Sequence, residues 1–391
     1  MTPDKSHDFI HMVDGSLDVS AWLRKDKQKM TDWCEAVISG NVEAVAQLLT
    51  TYPALINAVT DEGCTAIHHA ASEGHEKIMD LLLKMSSIRI NAFTSEEGLT
   101  ALHCAASMGH DKIVAQLLTA SPTLIHAVTD LGCTALHCAA QKGHEAIIAQ
   151  LLAVNPTLID ATTNGGWTAL HEAASKGQEK IVAQLLAVKP TLIFAITNDE
   201  HTALHIAAHY GHDKVVTQLL TACPTLVDAV TSAHMTALHC AITEGHESTA
   251  ELLLAAHPQS IHAIDGAGNT ALHLALQTDA SSPEFIAELL NRDPHALHCV
   301  NQDAETPFLF AVAIDDDSGI ALLQWKLCFD DIVSAFEKCQ KSHVNRFRPV
   351  MEAQCEALLS SLNQDVVRTV HEYLGFESIR QPCRKKAKMI E

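Results

Sequence analysis

Histidine and cysteine are the residues of this chain whose types and spacing could do chemistry. TALHCAASMGHDKIVAQLL runs from Thr100 to Leu118, and TALHCAAQKGHEAIIAQLL begins at Thr134. His68, His103, His137, His171, His205, His239 and His273 share one slot of this phrase, and His75, His110, His144, His212 and His246 share a second. Cys104, Cys138 and Cys240 each directly follow a first-slot histidine. Imidazole and thiolate are zinc ligands, and a thiol beside an imidazole can become a nucleophile. Zinc, however, needs about four ligands converging at ~2.0–2.3 Å. One His and one Cys per unit do not converge when neighbouring units lie about 10 Å apart, the spacing of packed helices. No catalytic signature flanks any of the twelve cysteines, and residues 306–391 show neither paired carboxylates nor a glycine loop. The expectation is architecture: no metal, no cofactor and no catalytic residue, with twelve of the 25 histidines accounted for by repeat position.

The elements that would position these residues follow from the period. Thr recurs at 31, 65, 100, 134, 168, 202, 236, 270 and 306, with spacings of 34, 35, 34, 34, 34, 34, 34 and 36. A self-similar period of this size is the mark of a solenoid. Within one unit, TALHCAAS places Leu102, Ala105 and Ala106 on one helix face, and the small residues permit close approach. Gly109 ends this helix in the left-handed region, as do its counterparts Gly40, Gly74, Gly143, Gly177, Gly211 and Gly245. A second helix, HDKIVAQLLTA, carries Ile113, Val114, Leu117 and Leu118 as one buried stripe. Pro122, repeated at 53, 156, 190, 224, 258 and 294, is expected to stop it. A turn such as TDLGC at 129–133 joins one unit to the next, with Gly63, Gly98, Gly132, Gly166 and Gly268 supplying a positive φ.

These residues resemble the ankyrin repeat family: a Gly-x-Thr-Pro-Leu-His opening, an Ala-Ala pair, Gly-His and a Leu-Leu ending. Ala usually stands in the Pro position here, and one extra residue lengthens the unit. The resemblance covers about residues 30–315, with a degenerate ninth copy, TPFLFAVA, from Thr306. It implies an all-α solenoid of about nine helix-turn-helix units, antiparallel helix pairs with turns projecting to one side. It also implies that the first-slot imidazole is structural, bridging the Thr hydroxyl and neighbouring backbone, and that Cys104, Cys138 and Cys240 are small buried groups. Function then belongs where the repeats differ, at the turn tips and the exposed face of the first helix.

Those positions change character along the chain. Asp61, Glu62, Cys64, Ser72 and Glu73, then Glu96, Glu97, Leu99, Ser107 and Met108, make an acidic N-terminal end. Farther on come Trp167 and Lys176, then His201, His209 and Tyr210, then Met235. The chain has only four Trp and three Tyr, and these types most often anchor protein interfaces. Two readings stay open: Trp167 and Tyr210 anchor a partner, or Trp167 lies flat over its neighbouring turn and Tyr210 covers an interhelical groove. In this same stretch Glu200 and His234 replace the turn glycine, and departures from local rules cluster at functional sites. The candidate partner-binding set is therefore Trp167, Lys176, His201, His209, Tyr210, Met235, Leu99 and Met108.

Composition bounds the partner. Hydrophobic residues make up 47% and aromatics 4% of 391 residues, which suits closely packed helices. A net charge of −21 argues against nucleic acid, and no stretch has the ~18–20 apolar residues of a membrane span. The opening residues lack a signal-peptide core and the cysteines lack a CxxC pair, so a reducing cytosol is expected. Residues 1–29 read as a capping segment, 30–315 as the array, 316–376 as a C-terminal helical region and 377–391 as a basic disordered tail. Within the helical region, LNQDVVRTVHEYLG from Leu362 resembles the first helix of an F-box through Leu362, Asp365, Val366, Val370, Tyr373 and Leu374, with Asn363 in the Pro position. The tail CRKKAKMIE fits a nuclear import or secretion signal. The near-identical copies and the Pro-Thr-Leu-Ile linker are similar to ankyrin proteins of intracellular bacteria, many of which act as effectors injected into a host cell. That resemblance implies a monomeric, non-catalytic scaffold that binds a eukaryotic protein; the alternatives are a ubiquitin-ligase adaptor and an enzyme within 306–391.

Overall fold

The computed structural model describes residues 27–60, 63–277 and 281–307. Asp61 and Glu62, the C-terminal helical region, its F-box-like phrase and the basic tail lie outside them, as does the capping segment up to residue 26. The chain divides into two compact bodies, Met1–Ala207 with Thr221–Cys223 and Ala208–Leu220 with Pro224–Glu391.

Each body is built from a leading and a trailing helix per unit. In the first body the pairs are Lys27–Ile38 with Val42–Thr51, Ala66–Glu73 with Glu76–Leu83, Ala101–Met108 with Asp111–Ala120, Ala135–Lys142 with Glu145–Val154, and Ala169–Ser175 with Glu179–Val188. In the second they are Ala237–Thr243 with Glu247–Ala256 and Ala271–Gln277 with Pro283–Arg292. Leading helices pack side by side, and Leu102, Ala105, Ala106, Ile113, Val114 and Leu117 are fully buried. The Ala-Ala pair explains the close approach, because a methyl group fills the interface that a longer side chain would wedge apart. The first leading helix, Lys27–Ile38, buries Trp33.

Glycine closes most leading helices as expected: Gly109 has φ 83° and its N–H bonds to the Ala105 carbonyl. Proline ends the trailing helix as expected, with Ser121 before it in the extended region, and it does more: Pro122 opens a 3-10 turn over Pro122–His126. Proline suits that first position, where no N–H partner is needed and φ is pre-set. The Pro-Thr-Leu-Ile segment is thus a structural element rather than a linker, with Leu124 and Ile125 buried under it.

Candidate partner-binding surface

The repeated histidine comes first because everything exposed hangs from it. The Thr100 N–H and hydroxyl both donate to His103 Nδ1, at 3.2 and 2.9 Å. That nitrogen must carry a lone pair, so the proton sits on Nε2, which donates to the Cys133 carbonyl of the next unit at 3.1 Å. The same bond runs from His68 to Leu99, His137 to Trp167, His171 to His201 and His273 to Glu305. Burial pushes the rings of His68, His103 and His171 down to about 4, against carbonyl hydrogen bonds that pull the other way. A ring with both nitrogens committed has none left for a metal. Among the described residues, no group of three or more His, Cys, Asp or Glu is placed to hold one.

The second-slot histidines have a separate job. His110 Nε2 donates to the Ser72 carbonyl of the preceding unit at 2.9 Å, and His144 donates to Ser107 at 3.0 Å. The ring also lies on the bare Cα of the preceding helix-closing glycine: a Cβ at Gly74 would stand 2.6 Å from His110 Cε1. Gln178 takes the slot in the next-but-one unit and donates to the Gln141 carbonyl at 3.3 Å. An amide does the work of the imidazole there, which marks the slot as a donor and spacer.

The thiols are inert. Cys104 and Cys240 are buried and Cys138 half-buried, and burial pushes these thiols up to about 11, 12 and 12 respectively. Thiolate is the reactive form, so these groups are poor nucleophiles.

The turns stack in register. Asp130 N–H donates to the Glu97 carbonyl, Asn164 to Leu131 and Asn198 to Gly165, at 3.1, 2.9 and 3.0 Å. The Asn164 and Asn198 side chains add bonds to the Asp130 and Asn164 carbonyls, each 2.9 Å.

On the first body this scaffold places Leu99, Trp167 and His201 in one slot, just before the helix-opening Thr. Each is half-buried, with its carbonyl held by a capping histidine. The Trp167 indole leans over its own turn, so that a Cβ on Gly165 would stand 3.3 Å from its Cδ1, and tilts toward the His171 ring at 6.2 Å. His201 meets His205 edge-on at 6.0 Å. Met108 is 56% exposed and Lys176 exposed, both at leading-helix ends. On the second body His209 meets Tyr210 edge-on at 4.7 Å and lies 3.4 Å from the Glu244 carboxylate. Tyr210 is 44% exposed and stacks toward His212 at 6.3 Å, while Met235 is half-buried. Sequence reasoning missed a further column, the residue before each turn: Phe93, Val128 and Ile196 on the first body, Val230, Ile264 and Val300 on the second, all among the exposed large hydrophobics. Their β-branched and aromatic character reads from sequence as ordinary extended chain.

An array of short helix pairs whose polar groups are spent on holding one unit to the next, leaving a slot of variable side chains per unit, is a repeat scaffold. The chain belongs to the ankyrin-repeat family: the family model for ankyrin repeats matches it three times, over residues 33–126, 116–193 and 187–265. No curated protein matches the chain. Membership makes it a protein–protein interaction scaffold. Among the described residues, no helix is long and apolar enough to cross a membrane.

Proposed function

We propose that the chain is a non-catalytic, monomeric recognition module, acting as an effector in the cytosol or nucleus of a eukaryotic host cell. The observation that carries the recognition reading is the slot before the helix-opening Thr. Its backbone is clamped by the His137 and His171 rings, while its side chain changes from Trp167 to His201. A fixed backbone under a variable, half-exposed side chain is what selective binding requires, because little ordering entropy is lost on contact. Trp167, Lys176 and His201, with Leu99 and Met108, form the recognition set on the first body; His209, Tyr210 and Met235 form that on the second. The acidic composition supports a protein partner over nucleic acid.

The test is capture from eukaryotic cell lysate with the full chain, with a chain ending at Asp317, and with Trp167→Ala and Tyr210→Ala. We expect the shortened chain to keep its partner and each substitution to weaken binding by about 2 kcal/mol, roughly thirtyfold. Partner loss on shortening alone, with ligase subunits among the lost proteins, would replace this reading with that of a ubiquitin-ligase adaptor.

A further inference from the structure

The column of pre-turn residues is a second surface, and its chemistry states what fits it. Phe93, Val128 and Ile196 are 55%, 48% and 53% exposed, and Thr162 fills the same exposed slot between the last two. The hydrogen bonds joining each turn to the next keep the column in line. Its members therefore repeat at the unit spacing of about 10 Å. Single exposed apolar residues need no explanation, but a row of them rimmed by charge marks an interaction site.

On its turn side the rim has one sign. The turns over residues 94–99, 129–133, 163–167 and 197–201 contain no Lys or Arg, whereas Glu96, Glu97, Asp130, Asp199 and Glu200 are all exposed. Lys142 and Lys176 sit at the far ends of leading helices, about 12 Å from the turns at ~1.5 Å per residue.

The backbone disfavours one mode of docking. At each contact between turns one N–H and one carbonyl are already bonded, through Asp130 to Glu97, Asn164 to Leu131 and Asn198 to Gly165. An extended peptide crossing the turns finds those groups taken. A helix satisfies its backbone internally, and seven residues of helix advance about 10.5 Å, close to the unit spacing.

We infer that the column Phe93–Val128–Ile196 docks a basic amphipathic helix, with apolar residues at heptad spacing against the column and Lys or Arg against the acidic turns. This rests on the protein-recognition reading and adds a second surface and a partner class to it.

The probe is a synthetic helical peptide with Leu at the a and d positions of its heptads and Lys and Ala elsewhere, beside a counterpart carrying Glu for Lys. Titration into the full chain at physiological salt should show binding of the Lys peptide alone. The triple variant Phe93→Ser, Val128→Ser, Ile196→Ser should weaken it at least tenfold, with unchanged far-ultraviolet circular dichroism showing that the array is intact. Glu96→Gln, Glu97→Gln and Asp130→Asn together should weaken it severalfold and flatten its salt dependence. Trp167→Ala should leave peptide binding in place, so failure at the Trp167 slot and failure at this column read out separately. Equal binding of the Glu peptide, or a folded Ser variant that binds the Lys peptide as well as the parent does, would overturn the inference.

Discussion

The turn at Thr163–Trp167 in the first body and the turn at Asp265–Asn269 in the second solve one problem with opposite residues. In the first body Gly132 (φ 79°) leaves its Cα bare, and the Asn164 side chain of the next turn fills the space; a Cβ there would stand 2.7 Å from Asn164 Oδ1. In the second body the position equivalent to Gly132 is His234 (φ 55°), and the residue in register on the next turn is Gly266, whose N–H meets the Ala233 carbonyl at 2.8 Å. Here the bare Cα lies on the later turn, where a Cβ would stand 2.8 Å from the Ala233 carbonyl oxygen. The capping histidines differ in parallel: His137 Nε2 reaches the Trp167 carbonyl at 3.0 Å, while buried His239 Nε2 makes no such bond to the Asn269 carbonyl. The Asp265 carboxylate closes the turn beyond it through bonds from the Ala267 and Asn269 N–H groups at 2.9 and 2.8 Å. At both contacts one partner is a bare Cα, on one side or the other, and the second body stacks without its full set of histidine bonds.

Acid should separate the two bodies most strongly. Burial holds the folded pKa of His68, His103 and His171 at about 4, below the unfolded value of about 6.5. The unfolded chain therefore takes up protons first, so stability is complete above pH 6.5 and falls as pH drops toward 4. Each such ring contributes a loss on the order of 2 kcal/mol by pH 5. Hydrogen exchange between pH 7 and 5 should show the first body, which holds all three, losing protection before residues 237–277; loss in the reverse order would contradict the assignment. Next in size, His137→Ala should destabilise by about 2 kcal/mol and His239→Ala by about 1 kcal/mol less, since only His137 has the bond to the next unit. Chemical denaturation that found equal losses would break that part of the comparison. The smallest effects test the exchange of bare positions. Gly132→Ala should destabilise by about 1–2 kcal/mol, through the Asn164 contact and the positive φ, whereas His234→Gly should change stability by less than about 1 kcal/mol in the stabilising direction. Thermal melts would distinguish these, and a destabilising His234→Gly would mean that its side chain makes a contact worth more than the strain.

Much of this was readable from the sequence because it depends on residues close in the chain. The Thr–His bridge spans three residues, the closing glycine follows its helix directly, and the buried stripe of Ile113, Val114, Leu117 and Leu118 lies within one helix. What could not be read depends on neighbouring units. The ring of His110 resting on Gly74 joins residues 36 apart in the numbering, and nothing local to either names the other. The exposed column Phe93, Val128 and Ile196 escaped because apolar residues in extended chain look like residues to be buried. Proline was read correctly as the stop of the trailing helix, but the 3-10 turn it opens was not read. At the candidate surface, sequence located the variable slots, but the half-burial of Trp167 over Gly165 emerges only from the fold.

The bonds between units have a consequence for how such a chain can change its length. They join residues at nearly constant offsets: 30 to 32 for the capping histidines, 34 for Asn164 to Asp130, 37 or 38 for the second-slot histidines. A duplicated block of one period, inserted in frame between two units, would find each of its partners already waiting at those offsets, and the units on either side would keep theirs. The chain can be spliced without retooling any contact. Gene duplication could therefore add a unit, and with it one more variable slot, while leaving the rest of the stack undisturbed.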